Sequence, residues 1–81
     1  MLSLHDEPET TVISGDQLIR ALRKFGYVAV RQQGSHVRLR HATEPQRQSV
    51  TIPLHRELAF GTLRRILRDT EVSVEELIAA L

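Results

Sequence analysis

Gly34-Ser35 sits between two alternating stretches, Tyr27 to Gln33 and His36 to His41. A link of two residues can join only antiparallel neighbours, so the middle of the chain must form a hairpin. The hairpin also fixes parity, because side chains on a strand alternate between faces. His36, Arg38 and Arg40 point one way, and Val37 and Leu39 the other. On the first strand, the same alternation sets Val28 and Val30 against Ala29 and Arg31. A polar loop over 42–48 follows, and then a third strand over about 49–54. Val50, Ile52 and Leu54 face its core side, while Thr51, Pro53 and His55 share the polar face. Pro53 cannot donate to a ladder, so this strand ends there or runs along an edge. If the three strands are neighbours, His36 and His55 fall on one surface.

The flanks switch to helical period. Ser14-Gly15-Asp16-Gln17 fits a capping box, with Ile13 and Leu18 placed as a hydrophobic staple. Leu18, Ile19, Leu22 and Phe25 recur at helical spacing, Arg20, Arg23 and Lys24 take the outer side, and Gly26 stops the helix. Thr62 to Arg68 reads as a second amphipathic helix, with Leu63, Ile66 and Leu67 inward and Arg64, Arg65 and Arg68 outward. Ser73-Val74-Glu75-Glu76 is another capping box, opening a short helix whose apolar side is Val74, Leu77, Ile78 and Leu81. This order predicts an α+β sandwich, with helices over one sheet face and the other left to solvent or ligand. Residues 1–12 read as a flexible acidic tail tied down by Val12 or Ile13, leaving 13–81 as a single domain.

Charge is segregated along the chain. All eleven basic residues lie between Arg20 and Arg68, opposed there only by Glu44 and Glu57, which leaves nine net positive charges. Ten of the eleven are arginine, the side chain suited to bidentate contact with phosphate. Such a surface fits a polyanion, nucleic acid foremost, with a merely solvated cationic face as the plain alternative. Phe25, Tyr27 and Phe60 are the only aromatics, too few for a module that stacks bases on a sheet of rings. The absence of cysteine excludes disulfides and thiolate metal sites. The four histidines show no ligand spacing, so neither a metal nor another cofactor is expected. Apolar runs are too short to span a membrane, and the acidic start is unlike a signal peptide, so a cytoplasmic location is expected.

His36 carries the chemistry in this reading. An imidazole beside two guanidinium groups can hold a phosphodiester next to a proton-transfer group. With a free pKa near ~6.5, imidazole is available as a base at cellular pH. It would take the 2′-hydroxyl proton of RNA while the oxygen attacks phosphorus, leaving a cyclic phosphate. The bland alternative is an exposed strand histidine without chemistry. Arg38 and Arg40 are the first RNA contacts because they share its face. Arg31 follows from the adjacent strand, and Ser35 from the turn. His55 joins the RNA-binding set by its parity with Thr51, with proton donation to the leaving oxygen as its catalytic alternative and a capping or packing role at the strand end as the plain one. His41 has core-side parity. No nucleophile is paired with a base and an orienting acid, so a covalent mechanism has no support.

Ser14 to Phe25, Gly26-Tyr27, Arg31-Gln32-Gln33-Gly34-Ser35-His36, Ile52-Pro53-Leu54-His55 and Gly61 to Leu67 together resemble the HicA toxins of bacterial and archaeal toxin–antitoxin pairs. The resemblance covers about residues 13–75. It implies a fold like double-stranded RNA-binding domains, of α-β-β-β-α order, here with a short extra C-terminal helix. It further implies a metal-independent endoribonuclease that cleaves mRNA, with His36 as the catalytic histidine. The implied partner is a HicB-type antitoxin that blocks the site. The acidic tail is longer than many members carry. A non-catalytic RNA-binding module on the same basic face is the alternative, and an interaction protein docking an acidic partner is a third.

Overall fold

In the computed structural model, which describes residues 10–81, Ser14 starts the first helix with the capping box expected of it. Its hydroxyl accepts from the Gln17 N–H at 3.0 Å, and the Gln17 side chain accepts from the Ser14 N–H at 2.9 Å. Two of the otherwise unpaired first-turn donors are thereby satisfied. Replacing Ser14 with alanine is expected to cost about 1 kcal/mol, read as a urea midpoint shift at unchanged slope.

The elements run α1 (Gly15–Arg23), β1 (Tyr27–Gln33), β2 (His36–His41), β3 (Val50–Pro53), α2 (Phe60–Thr70) and α3 (Val74–Ala80). This is the α+β layout of helix, three antiparallel strands and helix, followed by a short extra C-terminal helix. The acidic stretch over 1–9 lies outside the described residues. From Thr10 onward the chain is held: Thr10 bridges Ala59, and the Thr11 N–H donates to the Leu58 carbonyl at 2.8 Å. Ile13 is buried and Val12 is exposed.

β2 is the central strand, with β1 and β3 on either side. Its burial alternates in register, with Val37, Leu39 and His41 covered and His36, Arg38 and Arg40 exposed. Gly34 turns the hairpin with φ +57°, the positive value that the first position of a type II′ turn needs. α1 and α2 close the inner face over Leu18, Leu22, Leu39, Ile52, Leu58 and Ile66, all at 2 % exposure or less. The described residues form no helix long and apolar enough to cross a membrane.

Three local readings change. Strict alternation on β1 fails between Ala29 and Arg31, where Val30 is bulged out of the ladder. Val28 therefore pairs with Arg40 on the outer face, Ala29 pairs with Leu39 on the inner face, and Arg31 returns to the outer face opposite Arg38. Gly26 comes later than a simple stop. Lys24, Phe25 and Gly26 donate in turn to the carbonyls of Ala21, Leu22 and Arg23, a tightened 3₁₀ end. Gly26 then takes φ +94°, and a Cβ there would strike the His41 ring. On α3 only Leu77 is buried, while Val74, Ile78 and Leu81 are exposed, because a helix of seven residues docks on α1 by one edge.

His41 anchors the base of the hairpin. Its ring stands edge-on to Tyr27 with centroids 5.2 Å apart. Its Nδ1 accepts from the N–H groups of Thr43 and Glu44, and the Tyr27 hydroxyl donates to the Gln48 carbonyl at 3.0 Å. These bonds hold the 42–48 loop against the sheet. Arg47 in that loop donates to the Thr70 carbonyl at 2.8 Å, joining it to the end of α2. The Tyr27 hydroxyl, followed by Glu44, raises the pKa of Arg47 above its ordinary value.

Candidate functional site

The outer face of the hairpin forms an open cleft of about 370 Å³, lined by Arg31, Gln33, His36, Arg38 and Thr51. Strand pairing explains the grouping. Gln33 faces His36 across the turn, Arg31 faces Arg38, and Arg38 faces Thr51 on the other side. Directly opposed residues in an antiparallel pair share a face at short range. Three strands thus converge on one spot, and the bulge at Val30 brings Arg31 into the group.

His36 is exposed and, among the described residues, makes no side-chain hydrogen bond, so both ring nitrogens are open to a substrate. The Arg38 Nη1 donates to the Thr51 hydroxyl at 3.0 Å, which aims the guanidinium across the sheet. No carboxylate lines this cleft, so its charge is that of two guanidinium groups. A phosphate oxygen placed here meets fork donors on one side and an imidazole on the other.

Other expected site residues fall around the cleft. Arg40 lies two residues beyond Arg38 on the same exposed row, roughly 7 Å along the strand. Ser35 is exposed in the turn, and its carbonyl accepts from the Leu54 N–H at 2.7 Å, tying the turn to the end of β3. His55 is exposed and lies past the strand, since β3 ends at Pro53. The backbone carbonyl of His55 accepts from the Gly15 N–H at 2.9 Å, and its side chain is not part of the cleft wall. Pro53 takes the position opposite His36.

Gln33 and Thr51 were not singled out from sequence. The signal for Gln33 was the turn itself, since a two-residue link pairs the residues flanking it. Thr51 already carried the polar parity of its strand. No group of three or more histidine, cysteine, aspartate or glutamate residues among the described ones is placed to hold a metal ion.

Comparison with curated proteins gives no match. The sequence profile of the family described as the HicA toxin of bacterial toxin-antitoxin matches residues 15–72, from the first residue of α1 to just beyond α2. That span contains the whole sheet, the hairpin turn and every residue of the cleft, and it is well over half of the chain. The chain therefore belongs to the HicA toxin family of toxin–antitoxin systems.

Proposed function

We propose that this HicA-family protein is an endoribonuclease that cleaves mRNA at the His36 cleft without a metal ion, and that a HicB-type antitoxin inhibits it. The observation that carries the reading is the meeting of one open imidazole with Arg31 and Arg38 in a single cleft of the exposed sheet face. The neutral ring accepts the 2′-hydroxyl proton, and the 2′-oxygen attacks the adjacent phosphorus. The bond from phosphorus to the 5′-oxygen breaks, and the products are a 2′,3′-cyclic phosphate and a 5′-hydroxyl. In this open site water supplies the proton to the leaving oxygen. Arg31 and Arg38 stabilise the charge that builds on the phosphoryl oxygens, where pre-placed donors act most strongly. Arg40, Ser35 and His55 extend the contact to the neighbouring backbone.

A non-catalytic RNA-binding module is the second reading. It is favoured by one feature: the cleft holds a single imidazole and no carboxylate, so no second side chain there is ready to protonate a leaving group. Digestion of a defined RNA in EDTA separates the two. Cleavage to cyclic-phosphate or 3′-phosphate ends is the expected result. Intact RNA, bound with steep salt dependence, would support the module instead.

A further inference from the structure

The His36 cleft does not end at Thr51. Arg38 and Thr51 also wall a second cleft of about 450 Å³, which crosses the open edge of β3 to Arg65 and Asp69 on α2. Arg65 in turn lines a third cleft of about 420 Å³ with Arg64, Arg68 and Gly61. Each cleft shares a wall with the next, so one groove leads from the imidazole over the sheet edge onto the outer face of α2. Four guanidinium groups stand along it, at Arg38, Arg65, Arg64 and Arg68. Only Asp69 opposes them, and it is drawn to the Arg68 Nε at 3.4 Å.

We infer that this groove is the path of the RNA strand beyond the scissile phosphate, with Arg65, Arg64 and Arg68 holding its phosphates. The inference rests on the reading of the His36 cleft as the RNA site, and adds to it a second region on α2. Side-chain chemistry favours RNA over an acidic protein here. A protein interface needs an apolar, desolvated centre, whereas the exposed walls of this groove are mostly polar and cationic. The exposed apolar side chains of α3 lie outside it. Phe60, at the start of α2, is 44 % exposed, and the Arg64 guanidinium lies over its ring at 5.9 Å from the centroid. That pair is a stacking surface for one flanking base.

The test compares R64Q/R65Q/R68Q with its parent, both in a His36→Ala background so that RNA survives. A control removes the same charge from α1 as R20Q/R23Q/K24Q. Single-stranded RNAs of about four and about twenty nucleotides are titrated by fluorescence anisotropy over a range of salt. For the long RNA, losing three phosphate contacts is expected to flatten the slope of log K against log salt by roughly 2, and to weaken binding by at least ~10-fold at low salt. The short RNA should bind all three proteins within a factor of two or so, and the α1 control should keep most of the long-RNA slope. An unchanged slope on the long RNA overturns the path. So does loss of polyglutamate binding with RNA binding intact, which would give the three arginines to an acidic protein. Cleavage by the His36 protein is measured separately. Its absence counts against the nuclease reading, and the anisotropy slopes still decide the path.

Discussion

His36→Ala is expected to lower the rate of RNA cleavage by about 100-fold or more, up to ~10⁴-fold, the range for losing a positioned general base. The fold should not register the change. The side chain is exposed and makes no hydrogen bond among the described residues, so stability should stay within about 0.5 kcal/mol. A second variant sharpens the result. His36→Gln keeps a polar side chain able to contact phosphate but cannot accept a proton at neutral pH, and it should be as inactive as alanine. Single-turnover cleavage measures the chemical step, and anisotropy with an uncleavable RNA measures binding. Loss of rate with binding retained identifies a base. Equal losses in rate and binding for alanine, with both restored by glutamine, would identify a contact residue instead. Cleavage by His36→Ala at the rate of its parent would sink the assignment.

Gly15→Ala is expected to be the most damaging small substitution in the domain. A Cβ at residue 15 would overlap the Pro53 carbonyl oxygen and lie 2.9 Å from its carbon and 3.1 Å from the Leu54 Cα. All three are backbone atoms, so no side chain can swing aside. The Gly15 N–H also donates to the His55 carbonyl at 2.9 Å, which fastens the start of α1 to the chain just past β3. Relief requires moving α1 off the strand end, which opens the core between Leu18 and Ile52. We expect a loss of about 3 kcal/mol, at the upper end for overpacking, and a fall in melting temperature of more than about 10 °C for a domain of this size. Because Pro53 pairs with His36, molecules that still fold should also cleave more slowly. Gly61→Ala is the control. Nothing lies within 4 Å of a Cβ there and the residue is helical, so it should be neutral or stabilising by up to ~1 kcal/mol. Thermal melts of the two variants side by side check both. A Gly15→Ala protein melting with its parent would show that α1 approaches β3 less closely than described.

Much of this architecture was legible because local signals agreed with one another. Ser14 and Ser73 announce their helices through side chains that bond three residues away. Gly34-Ser35 sets the hairpin, and burial along β2 follows from parity alone. What escaped depended on contacts between elements. The bulge at Val30 has no glycine or proline to mark it, so an unbroken alternation read equally well. His55 carries the parity of Thr51, yet the proline before it ends the ladder first. The approach of Arg65 to Arg38 needs α2 packed beside β3, which no local pattern encodes. On α3 the apolar spacing of Val74, Ile78 and Leu81 reports a face that the rest of the described chain leaves uncovered.

The unpaired residue in β1 bears on how this domain tolerates variation. Arg31 reaches the cleft because Val30 is left out of the ladder, so that Ala29 and Arg31 face the adjacent Leu39 and Arg38. The side chain at position 30 is half-exposed and lies outside the cleft wall, so many residue types are acceptable there. Removing the residue would spare the cleft as well. With position 30 deleted the ladder closes up as a regular one, and Arg31, Gln32 and Gln33 keep Arg38, Val37 and His36 opposite them. Only a shift that drew Val30 into the ladder would turn Arg31 toward the helices and present Gln32 beside His36. Along this strand, then, the cleft depends on register, and a codon changed or lost at position 30 leaves it armed.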